Sequence, residues 1–145
     1  MPLSDIVVAA RSQAQEVAES DLPSETWPSF AFKPLDSVTL ATLGSLLATG
    51  EAQEAFQRFL GEVEMVACAS EEGPWVSVLS EALVALLTTL ADAPARLTEV
   101  AQSWALTEEL SGWEPADLEE GLKTLAEHAA LAQSKGAALF LWNAL

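Results

Sequence analysis

The chain has 145 residues, half of them apolar, with 22 Asp and Glu against 6 Lys and Arg, for a formal net charge of −16. That balance leaves no basic footprint for nucleic acid or for an anionic membrane surface. The single cysteine, Cys68, excludes an internal disulfide and a multi-cysteine metal site.

Ala and Leu dominate the apolar half, Ile occurs once (Ile6) and Tyr is absent. Strong helix formers thus outweigh the β-branched and aromatic residues that strands prefer. Leu3, Ile6, Val7, Ala10, Ala14 and Val17 recur at helical spacing, which predicts a first helix over 4–19 with Ser4 as its N-cap. Pro23, Pro28 and Pro34 interrupt residues 20–35, which read as an extended arm laying Trp27, Phe30 and Phe32 on the helices. Asp36 is the expected N-cap of a second helix carrying Leu40, Leu43, Leu46 and Leu47 and ending at Gly50.

A third helix is expected from Glu51 to Ala69, with Ala52, Phe56, Phe59, Leu60, Val63 and Ala67 as its stripe. Glu71-Glu72-Gly73-Pro74 ends it, and Pro74 suits the first turn of a fourth, central helix through Trp75, Leu79, Leu83, Leu87 and Leu90. That apolar stretch, Trp75 to Ala91, carries Glu81 and is too short to span a bilayer. Asp92-Ala93-Pro94 opens a fifth helix with Leu97, Val100, Ala101 and Trp104 inward. The Ser-Gly-Trp-Glu-Pro run at 111–115 separates it from a sixth. Glu114 is its expected N-cap, with Trp113 and Leu118 at staple positions and Gly136 at its end.

The sum is an all-α fold over residues 1–145: a compact single-domain bundle of about five to seven helices. It carries an extended Pro/aromatic arm (20–35) after the first helix and a packed apolar C-terminal tail over 137–145, with a short helix and a strand pairing near Phe30–Phe32 as its two alternatives. The opening Met1-Pro2-Leu3-Ser4-Asp5 has no basic run of the kind that begins a secretory signal, so the expected location is cytoplasmic.

Motifs for chemistry are lacking. There is no G-x-S-x-G elbow, no Gly-rich phosphate loop and no Walker-type lysine. His128 is the only histidine, and its helical neighbours Thr124 and Ala132 are not metal ligands. Glu16/Glu19 and Glu51/Glu54 share helix faces, as acids do in any acidic helix. No catalytic residue, cofactor or metal ligand is therefore assigned. Gly121, inside the sixth helix, suits close packing against a neighbour.

Acidity itself is uneven. Glu108, Glu109, Glu114, Asp117, Glu119 and Glu120 form the densest tract, with no basic residue between them and Trp113 inside. Acids in the first turns of the sixth helix complement its dipole, whereas Glu108 and Glu109 oppose that of the fifth. These seven residues are the expected partner-binding surface, because charge steers encounter and Trp is a frequent interface anchor. A second patch, Glu62, Glu64, Glu71 and Glu72, flanks Trp75.

The expected function is a non-enzymatic interaction module for a basic protein, with the size and charge of small inhibitor or immunity proteins. One alternative is a self-associating assembly protein that uses the Trp27–Phe32 arm and the Phe140–Trp142 tail. Another is a helical protein that binds a metal or small ligand.

Overall fold

The computed structural model of the chain describes residues 3–32, 35–48, 51–62, 64–110 and 112–144. Pro34, Gly50, Val63 and Ser111 lie outside them, as do the side chains of Leu3, Ala52 and Glu109.

Ile6, Val7 and Val8 are each no more than 2% exposed, although neighbouring residues of a strand point to opposite faces. They belong to β1 (Leu3–Ala9), which is covered on both sides. Such a strand reads as a continuous apolar run, and its apolar positions can mimic a helical stripe by chance. The expected first helix is therefore corrected. Ser4 is no cap but a strand residue whose hydroxyl bonds the Leu35 carbonyl at 3.3 Å, and only Ala14–Glu19 (α1) is α-helical.

Sheet and helices together make an α/β protein, which overturns the all-α bundle. Among the described residues, five antiparallel strands lie in the order β2-β1-β5-β4-β3. Here β2 is Ser29–Ala31, β3 Glu64–Cys68, β4 Trp75–Val78 and β5 Ala138–Ala144. The residue 20–35 segment holds a 3-10 turn at Pro23–Glu25 and then β2, an edge strand. The expected third helix stops at Glu62 (α3, Ala52–Glu62), and its supposed last turns are β3. Pro74 precedes β4 rather than a helix. The fourth helix, α4 (Glu81–Ala91), begins at the Ser80 N-cap, whose hydroxyl accepts the Leu83 N–H at 3.1 Å. The tail is β5, which pairs with β1 from Leu3↔Ala144 to Ala9↔Ala138 and with β4 on its other side.

Three helices follow the sequence pattern closely. In α2 (Ser37–Leu47), Asp36 Oδ1 accepts the Thr39 N–H at 2.8 Å while Thr39 Oγ1 accepts the Asp36 N–H at 2.9 Å, a reciprocal cap. Helix α5 (Pro94–Ala105) starts on its proline and buries Leu97, Val100, Ala101 and Trp104. Helix α6 (Pro115–Lys135) starts on Pro115 and ends at Gly136, which takes the left-handed φ of +63° that favours glycine.

The sheet separates two cores of unequal size. On one face, Ile6, Val8, Leu139 and Leu141 meet α2 through α6. On the other, Val7, Phe140, Trp142, Val76 and Val78 meet Val17 and Ala18 of α1, with Trp27 packed at the side. No helix among the described residues is long and apolar enough to cross a membrane.

Candidate acidic interaction surface

Two features position the acidic tract: the turn after α5 and the rigid start of α6. Helix α5 ends at Ala105, so Glu108 lies beyond it in a 3-10 turn spanning Glu108–Leu110. Glu114 occupies the N-cap position of α6 without a side-chain capping bond, and Asp117 sits in the first turn. Glu108, Glu114, Asp117 and Glu120 are exposed.

Glu119 differs. It is half-buried against α5, where its Oε1 accepts the Thr98 hydroxyl at 2.6 Å. The structure thus separates an inward acid from four outward ones. For Glu109 the side chain lies outside the described residues, and only its place in the 3-10 turn is set.

Trp113 is half-buried. Its ring packs on the helical core, with its centroid 6.4 Å from that of Phe32, which in turn lies 5.8 Å from Trp104. The ring is anchored from inside, so only its outer part can meet a partner. Phe32 also stacks towards Phe30 at 6.1 Å, and Phe30 lies 4.5 Å from the ring of His128. His128 Nδ1 donates to the Thr124 carbonyl at 2.8 Å, since a carbonyl can only accept. The histidine is thereby occupied as a packing residue.

This aromatic row ties edge strand β2 to α6 and leaves a groove of about 320 Å³ between them. Phe30 and Ala31 line one wall, and Asp117, Glu120, Gly121 and Thr124 the other. Two members of the acidic tract thus face a sheet edge rather than bulk solvent alone. Among the described residues, the ion pairs within 4 Å are Arg11–Glu81 and Arg58–Glu62. None of Glu108, Glu114, Asp117, Glu119 and Glu120 has a basic counterpart there. Glu120 also borders a second groove of about 380 Å³ with Glu119 and Lys123, floored by Leu90 and Leu97, and so stands between the two grooves.

One residue of this region went unread in the sequence. Leu106, at the C-cap of α5 and two residues before Glu108, is 88% exposed. Its signal was present: it falls off the stripe formed by Leu97, Val100, Ala101 and Trp104.

The β3–β4 hairpin divides the second acidic patch, with Glu64 opposite Val78 at its open end and Glu71 and Glu72 at its turn. Trp75 stands in β4, not at a helix start. Phe140 and Trp142 are buried inside the chain's own sheet. Among the described residues no three His, Cys, Asp or Glu side chains converge as a metal-holding group. Comparison of the chain with family models, with curated proteins and with solved structures found no match.

Proposed function

We propose that the chain is a non-enzymatic, cytoplasmic interaction module that binds a basic protein and blocks its surface, in the manner of an inhibitor or immunity protein. The observation that carries this reading is the α6–β2 groove, whose acidic wall of Asp117 and Glu120 has no ion-pair partner among the described residues. Glu108 and Glu114 extend the negative surface along the chain, and Leu106 adds an exposed apolar contact. An apolar residue rimmed by charge is the usual arrangement of a docking patch. The complementary occupant is a lysine- or arginine-rich segment, drawn in by long-range attraction and held at short range beside Phe30 and Ala31.

The test is affinity capture from the source cells at low and high salt. It compares the natural chain with a variant carrying Glu108→Lys, Glu114→Lys, Asp117→Lys and Glu120→Lys. A basic protein retained at low salt, released at high salt and lost from the variant is the expected result. Capture that survives the reversal with the same salt dependence rules the reading out. Sedimentation of the free protein as a concentration-dependent oligomer, with no basic protein captured, favours self-association instead.

A further inference from the structure

The helical layer covers only part of the sheet. Residues directly opposite each other on antiparallel strands share a face, so the registers define two rows on the α2–α6 side. One runs Ile6–Leu141–Ser77–Met65 and the other Ser4–Asn143–Trp75–Cys68. Three of the β1 and β5 members of these rows are covered, Ile6 at 0%, Leu141 at 2% and Ser4 at 7% exposed, and half-buried Asn143 donates to the Ser4 hydroxyl at 3.0 Å. The β4 and β3 members are not part of the large core, and β3 packs chiefly against β4 and α1, the latter on the opposite face. Met65 is accordingly 59% exposed, and Trp75 and Cys68 are partly exposed.

This bare face adjoins a strand edge with no further strand on it among the described residues. Strand β3 ends the sheet, and a bulge leaves Val66, 40% exposed, without a residue opposite it on β4. The Ala69 N–H bonds Pro74 O, so by the antiparallel alternation the backbone groups of Cys68 point away from β4. The Cys68 carbonyl is met by the Gln15 side-chain amide at 3.0 Å. Of the devices that blunt edge strands, β3 has the bulge and the charge of Glu64 but neither lysine nor proline. Its charges are all negative: Glu64, with Glu71 and Glu72 at the hairpin turn. The nearest cation in sequence, Arg58, is engaged by Glu62 at 3.1 Å.

We propose that β3 is a second docking site, on which an extended basic segment of a partner protein adds as a sixth strand. Its apolar side chains would lie on Met65 and Trp75, and its lysines or arginines among Glu64, Glu71 and Glu72. Strand addition takes affinity from main-chain hydrogen bonds and specificity from alternate side chains. A second copy of this chain fits poorly, because each would bring the same glutamates to the same edge. The inference rests on the reading of the chain as a module for basic partners, but uses a surface at the other edge of the sheet from the α6 groove.

The test uses three synthetic nine-residue peptides: alternating lysine and valine, alternating glutamate and valine, and the lysine–valine peptide N-methylated at every second amide. Hydrogen exchange across residues 64–68 and titration calorimetry provide the readouts. The lysine–valine peptide slows exchange at 64–68, binds more weakly as salt rises, and binds at least about tenfold more tightly than either control. Cys68→Pro removes an outward N–H and no ladder bond, and weakens binding about tenfold with the fold intact. Should that variant unfold, Glu64→Lys with Glu71→Lys and Glu72→Lys supplies the same comparison.

Equal binding of the N-methylated or glutamate peptide overturns the proposal, as does protection of 64–68 by protein concentration alone. The Glu114→Lys, Asp117→Lys, Glu120→Lys variant must bind the peptide as the natural chain does. If it does not, the contact belongs to α6. A failure at β3 leaves the α6 capture experiment standing.

Discussion

Gly121 and Phe32 are packed so closely that a Cβ on the glycine would lie 2.7 Å from the ring's Cε2. A hydrogen at this position lets α6 settle on the segment that follows β2, and so shapes the groove beside it. Gly121→Ala gains about 1 kcal/mol in helix propensity but overpacks the contact at a cost of about 1–3 kcal/mol. A net loss is expected in denaturant melts, recovered in part by Phe32→Leu. Gly61→Ala is the control: nothing lies within 4 Å, so it stabilises by up to about 1 kcal/mol. Gly121→Ala stabilising the protein as much as Gly61→Ala would falsify the close contact.

Asp5 stands opposite Trp142 in the β1–β5 ladder, and burial raises its carboxyl pKa. In the window between the unfolded value of about 3.9 and the raised folded value, the native state holds more protons than the unfolded one. This group's contribution to stability therefore falls as pH rises through that window. Asp5→Asn removes the charged form and is expected to raise Tm at pH 7. The gain should shrink on acidification and vanish below the unfolded pKa. Thermal melts of both proteins across that range check the sign, and a gain that grows towards low pH contradicts it.

The acidic tract should divide in stability measurements as it does in space. Glu119 Oε1 and the Thr98 hydroxyl, 2.6 Å apart, form a charge-assisted bond between α5 and α6. Glu119→Ala and Thr98→Val each cost about 1–2 kcal/mol, and the double variant costs less than their sum. Individual Lys substitutions of the exposed Glu108, Glu114 and Glu120 stay within about 0.5 kcal/mol, while Asp117→Lys in the first turn of α6 costs up to about 1 kcal/mol through the helix dipole. An additive Thr98/Glu119 cycle shows that the bond contributes nothing.

Two buried tryptophans should respond differently to loss of the indole N–H. Trp104 Nε1 donates to the Thr39 carbonyl at 3.3 Å, whereas Trp142 Nε1 is buried without a partner among the described residues. Phenylalanine at 104 loses a bond, and at 142 it removes an unpaired donor. Trp104→Phe is expected to destabilise by about 1–3 kcal/mol more than Trp142→Phe. Paired chemical denaturation of the two variants measures the difference.

Where local chemistry was decisive, the helices could be read before the fold was known. Asp36 with Thr39, Pro94, Pro115 and Gly136 mark ends of α2, α5 and α6 because caps and prolines act within one turn. Strand β1, which reads as a helix, and β5, left open between helix and strand, were not legible for the opposite reason. Their residues are apolar on both faces, and only the two layers that cover them explain it. Strand β3 was hidden differently, since Ala67 continued the stripe of the helix before it while pairing with Val76 of β4.

Composition and spacing by themselves determined the excess acid, the absence of a nucleophile or metal motif, and the density of carboxylate between Glu108 and Glu120. Tertiary structure alone decided which of those carboxylates are exposed. It turned Glu119 inward onto Thr98, set Asp117 and Glu120 across from Phe30 and Ala31, and left Met65 and Val66 at an uncovered sheet edge. The physical reason is range. Net charge and capping are properties of neighbours along the chain, whereas exposure depends on elements that meet only after strands distant in sequence have paired.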